Sequence, residues 1–317
     1  AWNWSLSGVP FGQHSTGGNL VDEPQVRPGY LDKLQKKFGK GKGAVIGIID
    51  TGVCPRSDEL EGRVIATWAI RTDKMGMPRP DYHPNEDEIG HGTETATIAA
   101  GKTLGVAPES RIFSIKLPMW SSGGRYQYSL FHLAAAFNTL RSTESQIVEG
   151  QSALSLIDTL LLPNGLYLSE KNRTKNDVKN IVEAISGFSN DDQIVVVAAV
   201  GNEPKQTSFP ATEANVLSVG AVDVDGKRWA KSGYGLDRTG KAIPIAHFNG
   251  CEISCHTLNG KPKRSSGTSM AAAGVAGIVT VLTKNGKTSL SRWHQVRTSI
   301  KLENDAVGEL PILYWDD

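Results

Sequence analysis

The chain has 317 residues, 34 Lys plus Arg against 33 Asp plus Glu, a formal net charge of +1, and 39% hydrophobic with 21% charged residues. Near-neutrality gives no electrostatic footprint for a nucleic-acid or anionic-membrane partner. No apolar run approaches the roughly 18–20 residues a membrane-spanning helix requires, so neither nucleic acid nor membrane is expected, and the length allows one large or two smaller domains.

Residues 1–43 are rich in Gly, Pro and polar side chains, with a short helix expected around Tyr30–Phe38. The start, Ala1-Trp2-Asn3-Trp4-Ser5, lacks the basic and apolar regions of a signal peptide. Ala44–Ile49 is a short, nearly continuous apolar run, the pattern of a buried parallel strand, and it ends in Asp50-Thr51-Gly52. Open α/β sheets place their active sites at such strand ends. Residues 55–90 read as a long polar loop with one strand at Val64–Ile70. In Gly90-His91-Gly92-Thr93, glycines flank a histidine that opens a helix closing at Gly101. At a helix start the dipole is expected to lower the imidazole pKa and keep it available as a base. The flanking glycines imply close approach by another group.

Arg111–Leu117 alternates like a strand, and Ser121-Ser122-Gly123-Gly124 is a loop. Leu130, Leu133, Ala134, Phe137 and Leu140 share one helical face. Ser152–Leu162 is an apolar segment with Asp158 inside it, and Val178, Ile181, Val182 and Ile185 repeat at helical spacing. Ile194–Val200 is the strongest buried-strand signal, running into Gly201-Asn202; Val216–Val222 is another. Residues 226–265 read as loops and short strands. A turn at Gly267-Thr268-Ser269 then feeds an apolar, small-residue helix, and a last amphipathic helix carries Leu290, Trp293, Val296 and Ile300. Alternating strands and helices predict a mostly parallel central sheet with helices on both faces, a three-layer α/β/α fold. No repeat or linker divides it, so 1–317 is read as a single domain with 1–43 packed on it.

Asp50, His91 and Ser269 each stand at a strand or helix end. A serine hydroxyl is a poor nucleophile at neutral pH. It needs an imidazole to take its proton, and the imidazole needs a carboxylate to fix its tautomer and stabilise its charge. The alternative for Ser269 is a helix cap, and for Asp50 a turn cap. Asn202 adds an amide that can donate to a developing oxyanion.

On these residues the chain resembles the subtilisin-like serine proteases. The matching blocks are Asp50-Thr51-Gly52, His91-Gly92-Thr93, Gly201-Asn202 and Gly267-Thr268-Ser269-Met270-Ala271. Gly105-Val106-Ala107-Pro108, Phe209-Pro210-Ala211 and Val219-Gly220-Ala221-Val222 also look familial. The order Asp, His, Ser is the one by which subtilisin is generally described. The resemblance spans about residues 44–300 and implies endopeptidase activity through an acyl-enzyme. Ser269 would be the nucleophile, His91 the base and then acid, and Asp50 its orienting partner. Asn202 and the Ser269 backbone N–H would form the oxyanion hole. It also implies a substrate cleft lined by Ser155, Leu156, Ile157, Ala199, Val200, Gly201, Gly123, Gly124 and Thr268.

Two departures stand out. Ala272-Ala273-Gly274-Val275 follows the serine without the family's usual Pro and His. The segment usually reading Ser-Leu-Gly-Gly is matched by Ser155-Leu156-Ile157-Asp158, where Asp158 either faces solvent or favours basic substrate side chains. The expected partner is a peptide or protein substrate, with an inhibitory propeptide, a monomeric state and secretion implied by the resemblance. No cofactor is required for catalysis. A structural calcium is allowed, although Asp73, Asp81, Glu86, Asp87 and Glu88 show no ligand spacing and read as a solvated acidic loop. Three cysteines leave two arrangements open: a Cys251–Cys255 bridge with Cys54 free, or three thiols. Sequons at Asn3 and Asn172 occur at about the chance rate and leave secretion open. A peptide ligase or macrocyclase on the same scaffold, and a catalytically silent binding protein, are the competing readings.

Overall fold

The computed structural model describes residues 30–284, apart from 85, 123–124, 143–147 and 191–193, together with 301–303 and 312–314. A helix α1 (Tyr30–Phe38) leads into β1 (Val45–Asp50), β2 (Val64–Thr72), β3 (Pro78–Asp81) and helix α2 (His91–Ala100). Then come β4 (Arg111–Lys116), a small hairpin of β5 (Trp120–Ser122) and β6 (Arg125–Gln127), and α3 (Leu130–Arg141). α4 (Ala153–Leu156), β7 (Thr159–Leu162), α5 (Glu170–Arg173), α6 (Asn176–Asn190), β8 (Val195–Ala199) and β9 (Val216–Val222) follow. Short strands β10 (Gly235–Leu236), β11 (Ala242–Ile243), β12 (Ala246–Asn249), β13 (Ile253–His256) and β14 (Pro262–Ser265) precede α7 (Thr268–Lys284). A last pair, β15 (Lys301–Glu303) and β16 (Ile312–Tyr314), closes the order. The helix expected around Leu290–Ile300 falls outside the described residues.

Eight strands form the main sheet in the order β12-β9-β8-β7-β1-β4-β2-β3. All its pairings are parallel except that of β3, which runs antiparallel to β2 at the edge. The central strands are buried on both faces, as parallel strands covered by helices must be. Ile46 and Ile48 pack with α2 and α7 residues such as Ala99, Val275 and Val279. Val45 and Ile49 pack on the other side with α3 and α6 residues such as Phe137 and Ile181. The period-2 alternation of strand side chains therefore puts Asp50, in phase with Ile46 and Ile48, on the α2/α7 side of the sheet. This is the three-layer α/β/α arrangement with a mostly parallel sheet.

α7 runs through the middle of one layer. Its residues from Met270 to Val281 are buried, and its glycines permit close approach. A Cβ on Gly274 would lie 2.4 Å from the Phe248 ring, and one on Gly277 2.6 Å from Val106 Cβ. Gly274, in the stretch without the family's usual Pro and His, thus lets β12 press against the helix that carries Ser269, and Gly277 does the same for the loop after α2.

The apolar segment expected over Ser152–Leu162 divides in two. A single α-turn, α4, ends before Asp158, and β7 begins after it. Asp158 is 4% exposed, and its Oδ2 accepts the Val45 N–H at 2.9 Å. It supplies a ladder acceptor at the entrance of β1, so it neither faces solvent nor reaches the sheet end where Asp50 lies.

Candidate active site

β1 delivers Asp50 to the C-terminal edge of the sheet, fully buried. His91 opens α2 opposite it. The two loops are joined by backbone geometry that only glycine allows. Gly92 N–H donates to Thr51 Oγ1 at 2.8 Å, and Gly52 takes a φ of 103°, in the left-handed region. Asp87 fixes the entry to α2. Its Oδ1 accepts from the N–H groups of Ile89 and Gly90, and its Oδ2 from Thr93 N–H and Thr93 Oγ1–H. At 6% exposure Asp87 is a buried helix-capping group, not part of the solvated acidic loop expected from the sequence.

His91 Nδ1 meets Asp50 at 2.8 Å to Oδ2 and 3.1 Å to Oδ1. Asp50 Oδ1 also accepts the Thr51 N–H at 2.6 Å. This fixes the proton on Nδ1 and leaves Nε2 as the basic nitrogen. Burial alone would push the His91 pKa down. The Asp50 charge and hydrogen bond, with the charges of Glu94 and Asp87, outweigh it and raise the pKa above the ordinary imidazole value of 6.5. The helix-start effect expected from the sequence has the opposite sign and is overridden, because a carboxylate in contact outweighs a terminal dipole.

Ser269, 7% exposed, lies in the first turn of α7 and faces the same cleft as His91. Its hydroxyl donates to the Pro163 carbonyl at 2.7 Å. Asn202 stands beyond the end of β8. Its Oδ1 accepts both Thr268 N–H, at 2.9 Å, and Thr268 Oγ1–H, at 2.8 Å. A backbone N–H can only donate, so the amide oxygen must face Thr268 and Nδ2 is the end that remains to donate.

The cleft between these groups has a volume of about 490 Å³. His91, Asn202, Ser269, Thr268, Ala199 and Gly201 line it, so these expected residues converge. The rest of the expected lining does not. Val200 is wholly buried at the end of β8. Ser155, Leu156 and Ile157 precede β7, at the end of the strand opposite the cleft, and the assignment to them is corrected accordingly. Gly123 and Gly124 lie outside the described residues. In their place Pro163, Asn164 and Gly165 line the cleft just past β7. They are the true continuation of a parallel strand at its C-terminal end. The same strand-end logic that identified Asp50 and Asn202 points to them once β7 is placed correctly. Tyr167, Glu203, Trp229 and Lys231 complete the walls. The Tyr167 hydroxyl lies 2.3 Å from where a Cβ on Gly201 would stand, so this glycine admits the phenol ring.

The three cysteines are free thiols, with Cys54 and Cys255 buried. Among the described residues no helix is long and apolar enough to cross a membrane.

The chain belongs to the subtilase family: residues 41–309 match its family model. It is 33% identical over 278 residues to Subtilisin-like protease 3 of Pseudogymnoascus destructans, covering 86% of this chain and 60% of that protein. It is 30% identical over 292 residues to Subtilisin-like protease 2 of Trichophyton verrucosum, covering 88% of this chain and 56% of that one. The chain thus spans less than two thirds of the length of these relatives. Two solved structures share the fold. A psychrophilic protease aligns with a TM-score of 0.65 at 19% identity, over 84% of this chain and 88% of that one. A cold-adapted subtilisin-like serine proteinase aligns with a TM-score of 0.64 at 21% identity, over 88% and 90%.

Proposed function

We propose that the chain is a serine endopeptidase acting through Asp50, His91 and Ser269. The observation that carries this is the hydrogen bond from His91 Nδ1 to Asp50 in a cleft that Ser269 and Asn202 also line. Family membership supports the same reading. In the reaction, the Ser269 hydroxyl turns from the Pro163 carbonyl towards His91 and surrenders its proton to Nε2 as Oγ attacks the peptide carbonyl. The new oxyanion is held by Asn202 Nδ2–H and the Ser269 backbone N–H, at the start of α7 where free N–H groups are available. His91 then passes the proton to the leaving amine. The acyl-enzyme is cleared by water, with His91 as base again. A peptide or protein substrate, an inhibitory propeptide and release from the cell, all implied by the family resemblance, complete the proposal.

A fluorophosphonate probe tests it. Labelling of Ser269, abolished in Ser269→Ala and His91→Ala, is the expected result. Folded wild-type protein that leaves the probe unreacted overturns the reading.

A further inference from the structure

The turn after β7 brings one more side chain to the carboxylate. Asn164 Nδ2 lies 2.7 Å from Asp50 Oδ1 and 3.4 Å from His91 Nδ1. The amide oxygen in that place would face a carboxylate, so the donor end must point to Asp50. Asp50 is then gripped at both oxygens. Oδ1 takes N–H groups from Thr51 and Asn164, and Oδ2 takes His91 Nδ1–H. The Asn164 backbone is itself anchored, since its main-chain carbonyl accepts the hydroxyl of the buried Tyr128 at 3.0 Å. Two residues on, Leu166 exchanges backbone hydrogen bonds with Phe209.

We propose that Asn164 is a positioning residue of the active site. It holds the Asp50 carboxylate in the orientation that meets His91, and it takes up part of that carboxylate's charge. The inference rests on the serine-peptidase reading for its catalytic consequence but not for its electrostatic one. His91 is faced by Asp50 from β1, by Glu94 from its own helix and by Asp87 from the preceding loop, and Glu94 is in turn paired with Lys263 of β14. An N–H shared with Oδ1 draws electron density away from the Asp50–His91 contact. Its loss leaves more of the charge to stabilise the imidazolium.

Titration of the His91 Cε1–H resonance in wild type and Asn164→Ala tests the electrostatic part without any turnover. The midpoint is expected to move upward in the variant. An unchanged midpoint overturns the proposal, whether or not the protein is a peptidase. Steady-state kinetics test the positioning part. The variant should lose on the order of tenfold in kcat with little change in KM, because a misplaced catalytic group costs rate rather than binding. In an Asp50→Ala background the same substitution should cost nothing further. Losses that multiply would show a general effect on the cleft and would overturn the assignment. Should Asn164→Ala fail to fold, Tyr128→Phe frees only the Asn164 carbonyl and carries the same test, with a smaller upward shift expected and none overturning the proposal.

Discussion

A Cβ placed on Gly92 would lie 2.0 Å from the carbonyl oxygen of Gly52. The helix that carries His91 and the strand end that carries Asp50 therefore meet at backbone contact, with no room for even one methyl group. Gly92→Ala forces the two loops apart. The expected result is a destabilisation of about 3 kcal/mol, the upper end of the usual cost of overpacking. Fluorophosphonate labelling should fall as well, because the Asp50–His91 hydrogen bond spans the same gap. Denaturant unfolding and labelling rate, measured on one preparation, check both.

Asn202→Ala removes the proposed oxyanion donor and also the acceptor of two Thr268 hydrogen bonds. A fall in kcat of about 10²- to 10³-fold is expected, with KM nearly unchanged. An equal fall in Asn202→Asp, which keeps an acceptor for Thr268 but offers no amide N–H, would assign the loss to the missing donor. Activity retained in Asn202→Asp would assign it to the Thr268 contacts.

The raised His91 pKa predicts the acid limb of kcat/KM. The base must be neutral, so activity appears as pH rises through a midpoint above the ordinary imidazole value of 6.5. The stability linkage runs the other way. A group whose folded pKa exceeds its unfolded one contributes stabilisation that is fully present below the unfolded value. That contribution is lost as pH rises through the folded value. Activity and this part of the stability should therefore cross in one pH window. A pH series of Tm in wild type and His91→Ala, set beside the kinetic profile, checks it.

Asp87→Ala strips the acceptor from four donors at the start of α2. Leaving buried donors unmet is expected to cost about 3 kcal/mol, read by chemical denaturation. Activity should fall with it, since His91 is the first residue of the helix that Asp87 holds.

The thiols should be inert in the folded protein. Burial, with the charges of Asp223 and Glu252, pushes the Cys251 thiol up to about 11. Burial, with Glu94, pushes Cys255 up to about 12. Neither forms appreciable thiolate near neutrality. Alkylation at neutral pH followed by mass spectrometry should leave both unmodified in the native state, and three adducts should form after unfolding.

The strand ends at Asp50 and Asn202 are legible because an apolar run leads to a polar residue at each: Val45–Ile49 to Asp50, and Val195–Val200, through Gly201, to Asn202. Ser269 was legible from the turn before an apolar helix. The opposite wall of the cleft was not. Ala153 to Leu162 is a mainly apolar segment broken by Ser155, Asp158 and Thr159, and periodicity alone cannot separate one helical turn from the strand that follows. The sequence pattern therefore points to Ser155–Ile157 for the substrate segment, one strand length before Pro163–Gly165. Asp87 was hidden because a carboxylate among other carboxylates looks like surface. Only the fold shows that Ile89, Gly90 and Thr93 turn their donors towards it. Tyr167 comes from the loop after β7, and Trp229 and Lys231 from the loop after β9, and no local pattern joins the two.

The sheet order has a consequence for how the molecule is made. β1, at the centre, pairs with β4 and β7, and its first N–H is accepted by a carboxylate 113 positions further along the chain. A ribosome releases the Asp50 strand long before either neighbour exists, and releases the Ser269 helix that covers it later still. A nascent or truncated chain ending before Thr268 would expose the apolar face that α7 covers and would carry no nucleophile. On the proposed peptidase reading, an incomplete chain is thus sticky but without its nucleophile, which arrives only with the helix that covers this face of the sheet.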